Sequence, residues 1–353
     1  MTADALGEAP SPLPSTPVQG NPSASGDIAA RARSVLAGGS THVARSYSPP
    51  IHVVRAQGSR KWLVDGRELV DYTMGHGALI LGHAHPTVVR AVQRQAERGT
   101  HYGACNPQEV EWAELIRGLV PAAERLRFTG SGTEAVMLAL RVARAATGRD
   151  AIVKLDDHFH GWYDAVCVNL DDGGRRITGG GVPAATTALT RVVAPGDVDA
   201  LQRALQGAAA LILEGSGAHY GQTPLDAGYL HAAQEACHHA GALLILDEVV
   251  TGFRVSTGGI QARTGLTPDL TAFGKIMAGG LPGGGVGGLS GVMDVLGTGN
   301  PRTAPVVAHP GTFNANPLTA AAGCATLNAL ADAEPSTVPT IMLGGSRRDG
   351  ARR

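Results

Sequence analysis

Residues 242–254 read ALLILDEVVTGFR. Leu243–Leu246 is an unbroken apolar run, and Asp247 ends it. A run without alternation suits a strand buried on both faces, as in a parallel sheet covered by helices. An acid at its end falls at the carboxyl edge, where open α/β sheets bind ligands. A buried carboxylate there needs a cationic partner or a network of donors. A residue that caps a helix or pins a loop remains an equally ordinary reading of Asp247.

The flanking sequence repeats the rhythm. RLRFTG (125–130) reads as a strand, and SGTEAVMLALRVARAATG (131–148) as a helix closed by Gly148. DAIVKL (150–155) and DAVCVNL (164–170) read as strands, DVDALQRAL (197–205) as a helix, and AALILEG (209–215) as a strand. LHAAQEACHHAG (230–241) reads as a helix, and LTAFG (270–274) and LSGVMDVL (289–296) as the last strand pieces. Strand and helix in alternation predict an α/β fold, a mostly parallel sheet with helices on both faces. Upstream, Asp27 is placed to N-cap a helix through IAARARSVLAGG (28–39). SRKWLVDGRELVDYT (59–73) predicts a hairpin around Asp65-Gly66, with Lys61 solvated on it. HPTVVRAVQRQAERG (85–99) and PQEVEWAELIRGLVP (107–121) each predict a helix.

Composition narrows the class. The chain has 353 residues, is 43% hydrophobic and carries a formal net charge of -1, so no electrostatic case exists for nucleic acid or an acidic membrane. No apolar stretch is long enough to span a bilayer. Cys105, Cys167, Cys237 and Cys324 share no CxxC spacing and read as reduced thiols, which predicts a cytoplasmic protein. The histidine pairs 83/85, 158/160 and 238/239 lack a completing carboxylate or thiol at ligand spacing, so no metal is expected. His238 and His239 read as the exposed end of a helix. Residues 1–26 are rich in Pro, Ser, Gly and Ala and read as a disordered tail.

Lysine is scarce. Of 29 Lys+Arg, only Lys61, Lys154 and Lys275 are lysines. Lys275 is the one charged residue between Asp269 and Asp294, in LTAFGKIMAGG (270–280). A lysine in a dry pocket can lose its proton and attack a carbonyl, which arginine cannot do. A surface lysine on a glycine-rich loop is the alternative. In RFTGSGTEAV (127–136) a strand runs through Ser131, Gly132 and Thr133 into a helix, so free amides and two hydroxyls could hold a phosphate. An ordinary capped helix start would look the same. Phosphate anchor, carboxylate and amine, in that order, match the needs of pyridoxal 5'-phosphate.

These residues sit within longer blocks: DGRELVDY (65–72), RFTGSGTEAVMLALRVARAATGRDAIVKL (127–155), HGWYDAV (160–166), PDLTAFGKIMAGGLPGGGVGG (268–288) and HPGTFNANPLTAAAG (309–323). Through them the chain resembles the class III aminotransferases of pyridoxal-phosphate fold type I, and among these the glutamate-1-semialdehyde 2,1-aminomutases most. The resemblance runs from about residue 30 to about residue 331. It implies domains at 27–120 (an N-terminal segment) and 121–331 (the cofactor-binding large domain), a homodimer, and a small amino acid or amino aldehyde as substrate. It implies that Lys275 forms the Schiff base and that Asp247 pairs with the pyridine nitrogen. Gly132 and Thr133 would hold the phosphate, Val249 would pack on one ring face, and Thr312 would reach the phosphate of a neighbouring subunit. Arg45 matches an arginine that takes the substrate carboxylate, although a plain surface arginine fits the residue equally well.

The chain departs from the family pattern at several positions. Phe159 precedes His160 where a ring-stacking tyrosine is usual, so a hydroxyl is lost. Glu214-Gly215 replaces Glu-Pro, His219 stands where an asparagine nears the ring hydroxyl, and His76 replaces a tryptophan near the substrate. Within the same chemistry, a transaminase between an amino acid and a keto acid stays open. Residues 332–353 end in STVPTIMLGGSRRDGARR, which has neither helix nor strand pattern. The expectation is a truncated or frameshifted end with the C-terminal small domain largely missing. An inactive cofactor-binding remnant is a further alternative.

Overall fold

The computed structural model describes residues 23–172, 174–218, 225–297 and 306–333. They fall in two compact units, within residues 1–90 and 91–353. His219, most of the N-terminal tail and nearly all of 332–353 lie outside the described residues.

In the first unit, a helix spans Ala24–Val35. It starts before Asp27, so Asp27 is a first-turn residue and not the cap. An acid in the first turn still complements the helix dipole. Strands β1 (Val53–Gln57), β2 (Arg60–Leu63) and β3 (Glu68–Val70) form an antiparallel sheet in that order. The turn at Asp65-Gly66 sits between β2 and β3 as expected, with Gly66 at φ 88°. Lys61 is partly buried and not freely solvated: its amine pairs with Asp71 at 2.8 Å. Asp71 also holds His83 at 2.6 Å and the Thr73 hydroxyl at 2.8 Å. Hydrogen bonds from Lys61, His83 and Thr73 outweigh burial and hold its carboxyl well below the usual range.

The second unit is built on seven strands: β4 (Arg125–Thr129), β5 (Ala151–Leu155), β8 (Thr190–Val193), β9 (Ala208–Glu214), β10 (Leu243–Asp247), β11 (Leu270–Gly274) and β12 (Gly284–Gly288). Their order is β4-β12-β11-β10-β9-β5-β8, and only β12 runs against the rest. Both faces are covered. Leu211 and Leu213 of β9 and Leu244 and Leu246 of β10 pack with the Val198–Leu205 and Ala227–Ala240 helices. The alternate residues Ala210, Ile212 and Ile245 pack with the Gly132–Thr147 helix on the other side. The helix at Pro107–Leu119 starts in a capping box between Asn106 and Glu109 and packs on the Pro317–Ala331 helix.

Two strand readings change. DAVCVNL is not a sheet strand: Asp164–Val166 is a 3-10 turn. Among the described residues its end, β6 (Val168–Asp171), pairs only with β7 (Gly174–Ile177), antiparallel. LSGVMDVL is helical turns at Ser290–Met293 and Asp294–Leu296, and the strand there is the preceding GGVGG. Glycine disfavours strands, so propensity argues against β12. Close packing explains it. A Cβ on Gly284 would lie 2.4 Å from the Ser131 carbonyl oxygen, and one on Gly287 2.5 Å from the Ala123 Cβ.

Lys154 of β5 is buried, and its amine donates to the Val168 carbonyl at 3.0 Å and to Asn169 Oδ1 at 2.6 Å. Burial lowers its pKa to about 8.

Two stability measurements check this packing. Gly284→Ala should cost about 1–3 kcal/mol by overpacking, while Gly291→Ala, with open space around it, should change stability by about 0.5 kcal/mol or less in urea unfolding. A depressed lysine is neutral in the fold but charged in the unfolded chain between about 8 and 10.5. The stability of the wild type relative to Lys154→Met should therefore rise with pH across that window and be flat below it.

Candidate active site

Three strands end at one edge of the sheet, and each delivers a titratable group. Glu214 closes β9, Asp247 closes β10, and Lys275 follows Gly274, the last residue of β11. The N-terminus of the Gly132–Thr147 helix, reached from β4, joins them. These residues line one cavity of about 700 Å³, together with His158, Phe159, His160, Trp162, Val249 and others.

Asp247 is 5% exposed, and both its oxygens are engaged. His160 Nδ1–H donates to Oδ2 at 2.7 Å, and the Val249 amide donates to Oδ1 at 3.0 Å. His160 is itself buried, which lowers its pKa against the opposing pull of Asp247. A neutral imidazole with its proton on Nδ1 satisfies the carboxylate without adding a charge. His160 Nε2 has no partner among the described residues.

Lys275 is half-buried and sits at φ 50°, a left-handed conformation that strains a non-glycine residue. Its amine makes no hydrogen bond or ion pair among the described residues. Burial lowers its pKa, Asp247 and Glu214 pull it back up, and Arg254 lowers it further. The backbone around it is tight. A Cβ on Gly274 would lie 3.2 Å from Val249 Cγ1 and 3.3 Å from the Gly132 Cα, and one on Gly132 would lie 2.8 Å from Val249 Cγ1. Val249 is thus wedged between the helix start and the exit of β11.

At the helix start, the Ser131 hydroxyl accepts the Glu134 amide at 3.2 Å, and Glu134 reaches back to the Gly130 amide at 2.6 Å. The hydroxyl of Ser131 is therefore occupied as a cap. The amides of Gly132 and Thr133, the first two helical residues, have no partner among the described residues, as the start of a helix leaves them. Gly161, at φ 87°, comes so close that a Cβ there would touch Thr133 Oγ1 at 2.4 Å.

The cavity brings together Ser131, Gly132, Thr133, Phe159, His160, Asp247, Val249 and Lys275. Phe159 and Trp162 stand 68% and 79% exposed on its wall. Thr312 is elsewhere, in a depression of about 490 Å³ with Gly103, Ala104 and Asn314. Its carbonyl accepts from His101 Nε2. Arg45 and His76 belong to the first unit. Both are exposed there, and His76, at φ 56°, stacks on His42 with ring centres 5.1 Å apart. Among the described residues no group of three or more His, Cys, Asp or Glu could hold a metal, and no helix is long and apolar enough to cross a membrane.

Glu214 was not singled out for the site from the sequence, although the signal was present: AALILE ends in an acid as LLILD does. It is 6% exposed and accepts the Phe159 amide at 2.7 Å. Burial first, then Asp247, raises its pKa to about 8. The glycine after it fits its surroundings, since a Cβ on Gly215 would lie 2.6 Å from Ile260 Cγ2.

The sheet, with its single reversed strand and an amine and two carboxyl groups at one edge, is that of a fold type I enzyme. Residues 42–337 match the family described as Aminotransferase class-III, and the chain belongs to that family. It is an enzyme that depends on pyridoxal 5'-phosphate. It is 44% identical over 314 residues to a glutamate-1-semialdehyde 2,1-aminomutase of Pyrobaculum arsenaticum, covering 86% of this chain and 73% of that one. Among solved structures, an omega-transaminase from Sphaerobacter thermophilus is 38% identical with a TM-score of 0.81, covering 87% of this chain and 73% of that one. A glutamate-1-semialdehyde-aminomutase from Pseudomonas aeruginosa PAO1 is 29% identical with a TM-score of 0.78, covering 86% and 70%.

Removing the His160 side chain leaves a buried carboxylate oxygen without its donor. His160→Ala should cost about 1–3 kcal/mol in equilibrium unfolding of the cofactor-free protein.

Proposed function

We propose that the protein moves an amino group on a small amino acid or amino aldehyde in the manner of a glutamate-1-semialdehyde 2,1-aminomutase, with Lys275 as its catalytic residue. The observation that carries this is the unbonded Lys275 amine in one cavity with a donor-fixed Asp247 and the free Gly132 and Thr133 amides. This donor set fits pyridoxal 5'-phosphate: amides for a phosphate, a fixed anion for a protonated ring nitrogen, and an amine for an aldehyde. When bound, the cofactor supplies an aldehyde that takes up amines and a ring that draws electrons from the neighbouring carbon.

The residues do the rest. Gly132 and Thr133 hold the phosphate at the positive end of a helix dipole, with Ser131 capping that helix. Asp247 keeps the ring nitrogen protonated, and His160 keeps Asp247 oriented. Val249 supports one ring face, and Phe159 lies against the other without adding a hydroxyl. Lys275, with its pKa lowered by burial, takes a proton from the carbon bearing the amino group and returns one to the carbon that receives it. Arg45 binds the substrate carboxylate as a bidentate donor, and His76 borders the substrate. Thr312, away from the Lys275 cavity, serves the phosphate of a second copy, so the working form is a homodimer. The four cysteines are free, which supports a cytoplasmic setting. The domain limits that accompany this reading are 27–120 and 121–331.

A second reading, a transaminase between an amino acid and a keto acid, is favoured by one observation. The omega-transaminase structure is more similar in sequence and shape than the aminomutase structure.

The test has two arms. Protein mixed with pyridoxal 5'-phosphate and reduced with borohydride should carry a phosphopyridoxyl group on the Lys275 peptide, absent in Lys275→Ala. Modification elsewhere, or none, would refute the role of Lys275. Glutamate-1-semialdehyde given alone should be converted to its amino-shifted isomer. Turnover only when a keto acid is added would favour the transaminase, and an adduct with no turnover in either assay would indicate a cofactor-binding protein without catalysis.

A further inference from the structure

β9 and β10 run parallel in register, with Glu214 beside Asp247. Neighbouring strands lie about 4.8 Å apart. Both acids end apolar runs, both are buried, and both line the cavity. Two neighbouring carboxyl groups in a dry site oppose each other's ionisation, which favours one of them keeping a proton.

The hydrogen bonds decide which one. Asp247 accepts a donor on each oxygen, from His160 and from the Val249 amide. Both bonds favour the anion. Glu214 accepts a single bond, from the Phe159 amide to Oε1. Its Oε2 has no bond among the described residues, and it is not among the buried atoms without a partner. Glu214 lines the cavity, and Oε2 is the oxygen that the Phe159 amide leaves open. The surrounding charges do not reverse the balance. Asp247 on β10 opposes ionisation of Glu214, while Lys275 after β11 and Lys154 on β5 favour it by less than burial disfavours it. His158 accepts the backbone amide of Glu214 through Nδ1, so that nitrogen carries no proton, and His160 is committed to Asp247.

We propose that Glu214 is held as the neutral acid beside the Asp247 anion, and that its Oε2–H donates a hydrogen bond into the cavity, to an acceptor oxygen of the ring or substrate bound there. The donor role rests on the cofactor reading above, whereas the protonation state does not. Ionisation of Glu214 at about pH 8 would remove this donor and place a second anion beside the first. The sign for stability follows. Its contribution is complete below the ordinary carboxyl value and is lost as pH rises through about 8.

Infrared spectroscopy of the cofactor-free protein tests the acid directly. A protonated carboxyl band should be present at neutral pH, disappear with a midpoint at about 8, and be absent in Glu214→Gln. In Asp247→Asn the midpoint should fall toward the ordinary carboxyl value, a result that does not depend on the glutamine variant folding. A band lost only in the acid range, or one unaffected by both substitutions, would overturn the proposal. Binding of pyridoxamine 5'-phosphate, which has no aldehyde for Lys275, tests the donor. Wild-type affinity should fall about five- to tenfold as pH rises through the same midpoint, while the glutamine variant, which keeps a donor, should stay flat there. Equal pH dependence in the two proteins would overturn the donor role. If neither bound the probe while the infrared band behaved as expected, the cofactor reading and the donor role would fall and the acid assignment would stand.

Discussion

A carboxylate cannot be left unpaired at the buried end of a strand, and the Asp247 site answers to that constraint. Two neutral donors meet it from different directions. The Val249 amide comes from the turn that leaves β10, and His160 comes from the segment after β5. Neither adds a full charge, so the anion stays available to a cation entering the cavity. The same dryness that makes Asp247 costly lowers the pKa of Lys275 and raises that of Glu214. One local dielectric thus moves both of these groups toward their neutral forms.

Close packing of backbones places these groups. Gly132, Gly274 and Gly284 bring the helix start, the exit of β11 and the reversed strand β12 into contact distances that a Cβ would break. Val249 fills the space between the first two. The strained Lys275 conformation follows directly after Gly274, so the lysine is aimed by the same contact. Glycine content that looks like loop in composition is here part of the packed layer.

The family's features and this chain's departures from it can be separated on physical grounds. At Gly215, where the resemblance leads to proline, the side chain of Ile260 occupies the space beside the glycine. Phe159 keeps an aromatic face on the cavity wall without a hydroxyl, and its amide is held by Glu214. His76 pairs with a second histidine, His42, by stacking in the first unit.

The sequence by itself determined the α/β class, the covered parallel strands and the order of glycine-rich helix start, strand-end carboxylate and lysine, because continuous apolar runs and glycine-rich helix starts are local patterns. Asp247, Lys275, Gly132 and Thr133 were legible for that reason. It misled at LSGVMDVL and DAVCVNL, where apolar content suggested sheet strands, and at GGVGG, where glycine hid one. Lys61 also looked solvated, because its partner Asp71 is distant in the hairpin's pattern. Only the tertiary structure decided that Glu214 stands beside Asp247 and that His160 donates to it. Those relations depend on which strands are neighbours and in what register, and pairing between segments tens of residues apart leaves no periodic trace in either one.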